Sequence, residues 1–116
     1  MMKSFYYAAK GIVIAVKEQR NIKIHLLAMV VVCLAGFYFH ISDVEWMICV
    51  LCFSVVIAAE MINTAIEYLV DLVQPSHHPL AGKIKDIAAG AVFITAIGAA
   101  IIGLFIFLKY ILLATH

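Results

Sequence analysis

Four polar side chains, Glu60, Asn63, Glu67 and Asp71, interrupt an otherwise apolar run, WMICVLCFSVVIAAEMINTAIEYLVDLV, that begins at Trp46. At about 100° per helical residue, offsets of 3, 7 and 11 hold all four within a sector of roughly 80°. Carboxylates in a bilayer are costly and persist where they have a task or a partner. A one-sided stripe that ends at a membrane surface suits a site that handles cations or phosphates. Glu67 and Asp71 belong at the water boundary, and Glu60 lies two turns deeper, about 10 Å inside. A deep carboxylate beside an amide suits proton removal from an alcohol whose tail stays in the bilayer.

The chain then returns to the wet end of that stripe. The segment QPSHHP carries Ser76, His77 and His78, and Lys85 and Asp86 follow shortly after. Carboxylates with a lysine at a lipid–water boundary suit Mg²⁺ and a polyphosphate, because Mg²⁺ is held by one or two carboxylates plus substrate phosphates. The sequence Ala81-Gly82-Lys83 is no P-loop: the upstream glycine and the hydroxyl residue after the lysine are missing. Cys49 and Cys52 have C-x-x-C spacing inside an apolar helix, without a second pair, and read with Cys33 as packed or lipid-facing thiols. Beyond the membrane flanks there is no basic surface, so nucleic-acid binding has no support. Spacing alone leaves three classes open: phosphoryl transfer, a small transporter in which Glu60 exchanges protons with a cation, and a structural membrane protein.

Those residues need elements to position them. Of the 116 residues, 66% are hydrophobic and 13% charged, which is a membrane composition. The expected architecture is all-α and integral to the membrane, with three transmembrane helices preceded by an amphipathic surface helix, in a single domain over 1–116. The surface helix covers 1–20, where Lys3, Lys10 and Lys17 recur every seven residues as one cationic stripe. Between Lys10 and Lys17 only Gly11–Val16 is uncharged, too short for a signal-peptide core. Membrane helices are expected at 22–41, 44–73 and 80–113, with Ser42 and Asp43 as a turn and cap, Trp46 as an interfacial anchor, and prolines 75 and 79 breaking the chain between the last two. Ala96/Ala100 and Ala99/Gly103 are small-residue pairs that favour close helix contact. His25 and His40 read as interfacial, and His116 as a free tail. Lysine and arginine crowd the N-terminal flank and the start of the last helix, so the N-terminus and the 74–86 loop are expected in the cytoplasm.

The run Glu60-Met61-Ile62-Asn63-Thr64-Ala65-Ile66-Glu67-Tyr68-Leu69-Val70-Asp71 resembles the signature of the prokaryotic diacylglycerol kinase family, E-x-x-N-[ST]-A-[IV]-E-x-x-V-D. His78-Pro79-Leu80-Ala81-Gly82 and Lys85-Asp86-Ile87-Ala88-Ala89-Gly90-Ala91-Val92 resemble its second block, in wording closer to the undecaprenol kinase branch than to the enterobacterial diacylglycerol kinases. The resemblance implies a homotrimeric bundle in the bacterial inner membrane, with active sites between subunits, that moves the γ-phosphate of ATP to a membrane lipid alcohol. Undecaprenol is favoured over diacylglycerol; a proton-coupled transporter is the remote alternative. By matching position, Glu60 is the catalytic base and Asn63 supports it. Glu67 holds Mg²⁺ with the nucleotide. Ser76, His77, His78, Lys85 and Asp86 fall in the ATP-contacting block, and Tyr7 reaches the same ATP. Asp71 closes the signature without a clear role. The family places a second metal-binding glutamate before the first span, where ungapped counting from Lys10-Gly11 finds Gln19. The nearest carboxylate is Glu18, which we assign as the second metal residue; one helical residue is a rotation of about 100°, so the two choices differ physically.

Overall fold

The computed structural model describes residues 1–115, and all regular structure in them is helical. His116 lies outside the described residues. The four helices are α1 (Met2–Glu18), α2 (Arg20–Phe39), α3 (Asp43–Val73) and α4 (Pro79–Ala114). Three of them, α2, α3 and α4, are long and apolar enough to cross a membrane. The chain is thus all-α with three candidate spans, as its composition requires. Helix α3 is the central one: 28% of its most apolar window is buried, against 11% for α2 and for α4. The other apolar faces, among them Leu27, Leu34, Phe37, Phe93 and Phe105, are exposed and suit lipid or a second copy of the chain.

The helix ends follow local chemistry. Ser42 caps α3 with a full capping box: its Oγ accepts from the Glu45 backbone N–H at 3.2 Å, while the Glu45 carboxylate accepts from the Ser42 N–H at 2.9 Å. Glu45 belongs to the first turn of α3 and is buried. It pairs with Lys109 at 2.8 Å and accepts a hydrogen bond from Tyr110, which ties the end of α4 to the start of α3. Helix α2 stops at Phe39, two residues before the expected end. His40 there adopts left-handed geometry (φ 53°, ψ 54°), and the Ile41 N–H reaches back to the Gly36 carbonyl at 3.1 Å. Trp46 lies over Gly36 and against Phe37, so it is a packed residue as well as one near the helix end. A Cβ at Gly36 would sit 2.6 Å from the Trp46 ring. At the other end of α3, Gln74 and the QPSHHP turn release the chain, and α4 begins with Pro79 in its first turn. His78 caps α4, its Nδ1 accepting from the Leu80 N–H at 3.1 Å.

Candidate active site

Glu60 and Asn63 are both buried, on the face of α3 turned toward the other helices. The Asn63 amide donates to the Glu67 carboxylate at 3.1 Å, which links consecutive positions of the stripe. The amide orientation follows, because an ionised carboxylate accepts and does not donate. Asn63 Oδ1 is then left buried without a partner. Buried acceptors are normally satisfied, so an orphan beside two carboxylates points to a donor that the chain does not supply. Thr64 bonds to the Glu60 backbone carbonyl at 2.9 Å, leaving the Glu60 side chain to other partners.

The partner it has is one that sequence reasoning missed. His25 Nε2 lies 3.3 Å from Glu60 Oε1, across from α2 to α3. His25, expected from the sequence only as an interfacial residue, is also the side-chain partner of Glu60. It shares a cavity of about 320 Å³ with Glu60, lined also by Asn21, Val92 and Phe93. A lone histidine one turn past a basic flank gives no local signal of this pairing. The cue is that α2 and α3 are antiparallel neighbours, which puts the start of α2 beside the C-terminal half of α3.

At the wet end, Asp71 pairs with Lys85. A groove of about 170 Å³ collects Asp71, Gln74, Ser76, His77, His78 and Lys85. Within it the Gln74 amide donates to Ser76 Oγ at 2.8 Å, and His77 is exposed with no hydrogen-bond partner among the described residues. Asp86 is exposed one residue beyond Lys85 and does not line the groove. Tyr7 is exposed on α1, its ring edge-on to Tyr6, and makes no contact with the groove. Ser76, His77, His78 and Lys85 are therefore assembled within one chain, and Asp86 and Tyr7 are not.

Glu18 and Gln19 converge on one hydroxyl. Tyr68 donates to Glu18 Oε1 at 2.8 Å and accepts from the Gln19 amide at 3.0 Å. The expected 100° separation between these two positions fails because the helix does not continue through them. Helix α1 ends at Glu18, and Gln19 is extended (φ −112°, ψ 115°) before α2 begins. Among the described residues no cluster of three metal-ligating side chains exists. A site for Mg²⁺ does not need one: two carboxylates with free oxygens, completed by phosphates and water, fit that ion. Glu67 and Glu18 each have one carboxylate oxygen without a hydrogen bond, and Tyr68, which holds Glu18, is the residue after Glu67.

Residues 6–107 match the family model described as prokaryotic diacylglycerol kinase. The chain belongs to this family. Among similar proteins, the undecaprenol kinase of Bacillus subtilis (strain 168) is 45% identical over 106 residues, covering 91% of this chain and 86% of that one. The diacylglycerol kinase of Synechocystis sp. (strain PCC 6803) is 40% identical over 104 residues, 89% of this chain, but these span only 59% of the longer relative. The diacylglycerol kinase of Helicobacter pylori (strain 26695) is 33% identical over 92 residues. The matched range includes α3 with its whole stripe, the groove and His25.

Proposed function

We propose that this prokaryotic diacylglycerol kinase family member is an ATP-dependent lipid kinase of the bacterial inner membrane. It transfers the γ-phosphate to the hydroxyl of a membrane lipid alcohol, with undecaprenol preferred to diacylglycerol. The observation that carries the reading is the continuity of one helix face. Along it lie a buried carboxylate, Glu60, then the hydrogen-bonded pair Asn63 and Glu67, then Asp71 at a groove that holds Lys85, Ser76 and two histidines. A greasy alcohol and a water-soluble polyphosphate need those two environments within reach of each other.

Glu60 accepts the hydroxyl proton of the alcohol, which becomes the nucleophile toward the γ-phosphorus. Asn63 holds Glu67 through its amide N–H. Lys85, released from or shared with Asp71, neutralises phosphate charge, while His77, His78 and Ser76 border the nucleotide; Asp86 flanks this groove without lining it, and Tyr7 reaches the ATP of a neighbouring subunit. Glu67 and Glu18 would hold Mg²⁺, which would supply charge neutralisation to the polyphosphate. The subunits form a homotrimer, each with α1 as an amphipathic helix on the cytoplasmic surface, and the sites lie between subunits. The N-terminus and the QPSHHP turn face the cytoplasm, consistent with the clustering of lysine and arginine there.

The preference for a polyprenol is supported by the greater identity to the relative named undecaprenol kinase. It is also supported by the lining of the Glu60 cavity, in which Asn21 and His25 are the only other polar residues. Gripping two ester groups of diacylglycerol takes paired hydrogen bonds. Radiolabelled phosphate transfer to undecaprenol and to dioleoylglycerol in the same mixed micelles tests the point. A kcat/KM for diacylglycerol equal to or above that for undecaprenol reverses the preference and leaves the lipid-kinase reading intact.

A further inference from the structure

We infer that His25 is a positioning residue for the catalytic carboxylate, holding one oxygen of Glu60 so that the other is presented to the lipid hydroxyl; this rests on the kinase reading above. Glu60 is 4% exposed, and its side chain has a single hydrogen-bond partner among the described residues, His25 at 3.3 Å. No cation competes for it. Lys85 is engaged by Asp71 and Lys109 by Glu45. The two cavities that contain His25 are otherwise lined by apolar groups and Asn21, and Glu60 is the one other titratable group in them. The second of these cavities is bordered by Ala96, Ala99 and Ala100 of α4, Ala28 and Met29 of α2, and Val56 and Ile57 of α3, none of them charged.

The chemistry follows from the inventory of lone pairs. An ionised Glu60 only accepts, so the proton of this hydrogen bond resides on His25 Nε2. Oε1 is thereby occupied and Oε2 is the free base. When the alcohol reacts, its O–H bond breaks and an Oε2–H bond forms. The alcohol oxygen then bonds to the γ-phosphorus as the bond to the ADP oxygen breaks, and Glu60 afterwards returns its proton to water. His25 keeps its own proton throughout. Its work is to fix the carboxylate plane, and a misplacement of about 1 Å at such a centre costs on the order of 10²-fold in rate.

Glutamine carries an N–H at about the reach of Nε2; asparagine falls short, and leucine has no donor. Wild type, His25→Gln, His25→Asn and His25→Leu would be compared as full-length protein in mixed micelles with undecaprenol and Mg·ATP, with kcat and both KM values measured. The expected result is a kcat loss of about 10²-fold for Leu and Asn, an unchanged KM for ATP, and recovery of most of kcat in Gln. If the Leu variant does not fold, the Gln–Asn pair carries the same contrast. Equal kcat in Gln and Asn, whether both wild-type or both impaired, would overturn the positioning role, as would a defect confined to the KM for ATP. Wild-type protein that phosphorylates no lipid alcohol would overturn the kinase reading and this role with it.

Discussion

Two carboxylates on one helix face do different work because they sit at different depths. Glu60 is buried with a histidine, whereas Glu67 is half-buried beside an amide near the helix end. Glu60→Gln is expected to lower kcat by about 10²–10⁴-fold, the usual size of a general-base contribution, while ATP binding persists. A near wild-type kcat would remove Glu60 from the base role. Glu67→Gln is expected to weaken Mg·ATP and leave the lipid KM unchanged, with part of the activity returning as Mg²⁺ is raised. A defect seen only in the lipid KM would reverse the two ends of the site. Tyr68 makes a sharper test of the α1–α2 junction. If Glu18 holds metal, then Tyr68→Phe, which frees Glu18 from its hydrogen bond, should alter the apparent Mg²⁺ affinity in the same assay, and Glu18→Ala should weaken it well beyond Gln19→Ala. At this scale the sequence was informative where spacing alone does the work. The stripe from Glu60 to Asp71 needs only the helical period. His25 with Glu60 and Tyr68 with Glu18 join residues 35 and 50 positions apart, on different helices, and no local pattern announces them.

Among the elements, α3 is the scaffold and its two ends are finished by opposite means. Its start is locked by the Ser42–Glu45 capping box and by Lys109 and Tyr110 from α4. Its end runs directly into the groove lined by Ser76, His77, His78 and Lys85. Ser42→Ala should therefore lower thermal stability in detergent by about 1 kcal/mol, the typical cost of a lost cap. The adjoining α2 terminus gives the opposite sign. His40 occupies a left-handed conformation that costs an L-residue with a Cβ on the order of 1–2 kcal/mol, so His40→Gly should raise the melting temperature. A fall in stability for His40→Gly would mean that the imidazole contributes more than the backbone costs. The helices themselves are legible from apolar length and from the prolines and capping residues between them. Their junctions are less so. Pro75 and Pro79 announce the break between α3 and α4, but nothing in Glu18-Gln19-Arg20 marks a break, because glutamine is an ordinary helical residue and its extended geometry is imposed by the turn from α1 into α2.

For the molecule as a whole, one chain leaves most of its apolar surface uncovered; among the described residues, Ile41, Cys49 of α3 and Ile106 of α4 form a buried apolar cluster near the α2–α3 turn. Lipid and further copies of the chain account for the remainder in the proposed trimer. Glu60, Asn63 and Glu67 of a site share one helix, whereas Tyr7 does not reach the groove of its own chain. Sites between subunits therefore predict complementation of a different pair: reconstituting Glu60→Gln together with Tyr7→Ala should give activity above that of either variant alone, since some mixed trimers then hold one site with both residues intact. Absence of recovery in verified mixed trimers would place Tyr7 and Glu60 of a site in the same subunit. The assembly is the least legible property in the chain. A helix face suited to lipid and one suited to a partner carry the same leucines and phenylalanines.

Everything above depends on one transfer. Purified protein in mixed micelles, given ATP labelled at the γ-phosphate, Mg²⁺ and undecaprenol, should yield a labelled lipid phosphate whose formation is lost in Glu60→Gln. Labelled lipid formed equally well by Glu60→Gln, or no labelled product from undecaprenol or dioleoylglycerol with the wild-type protein, would contradict the account.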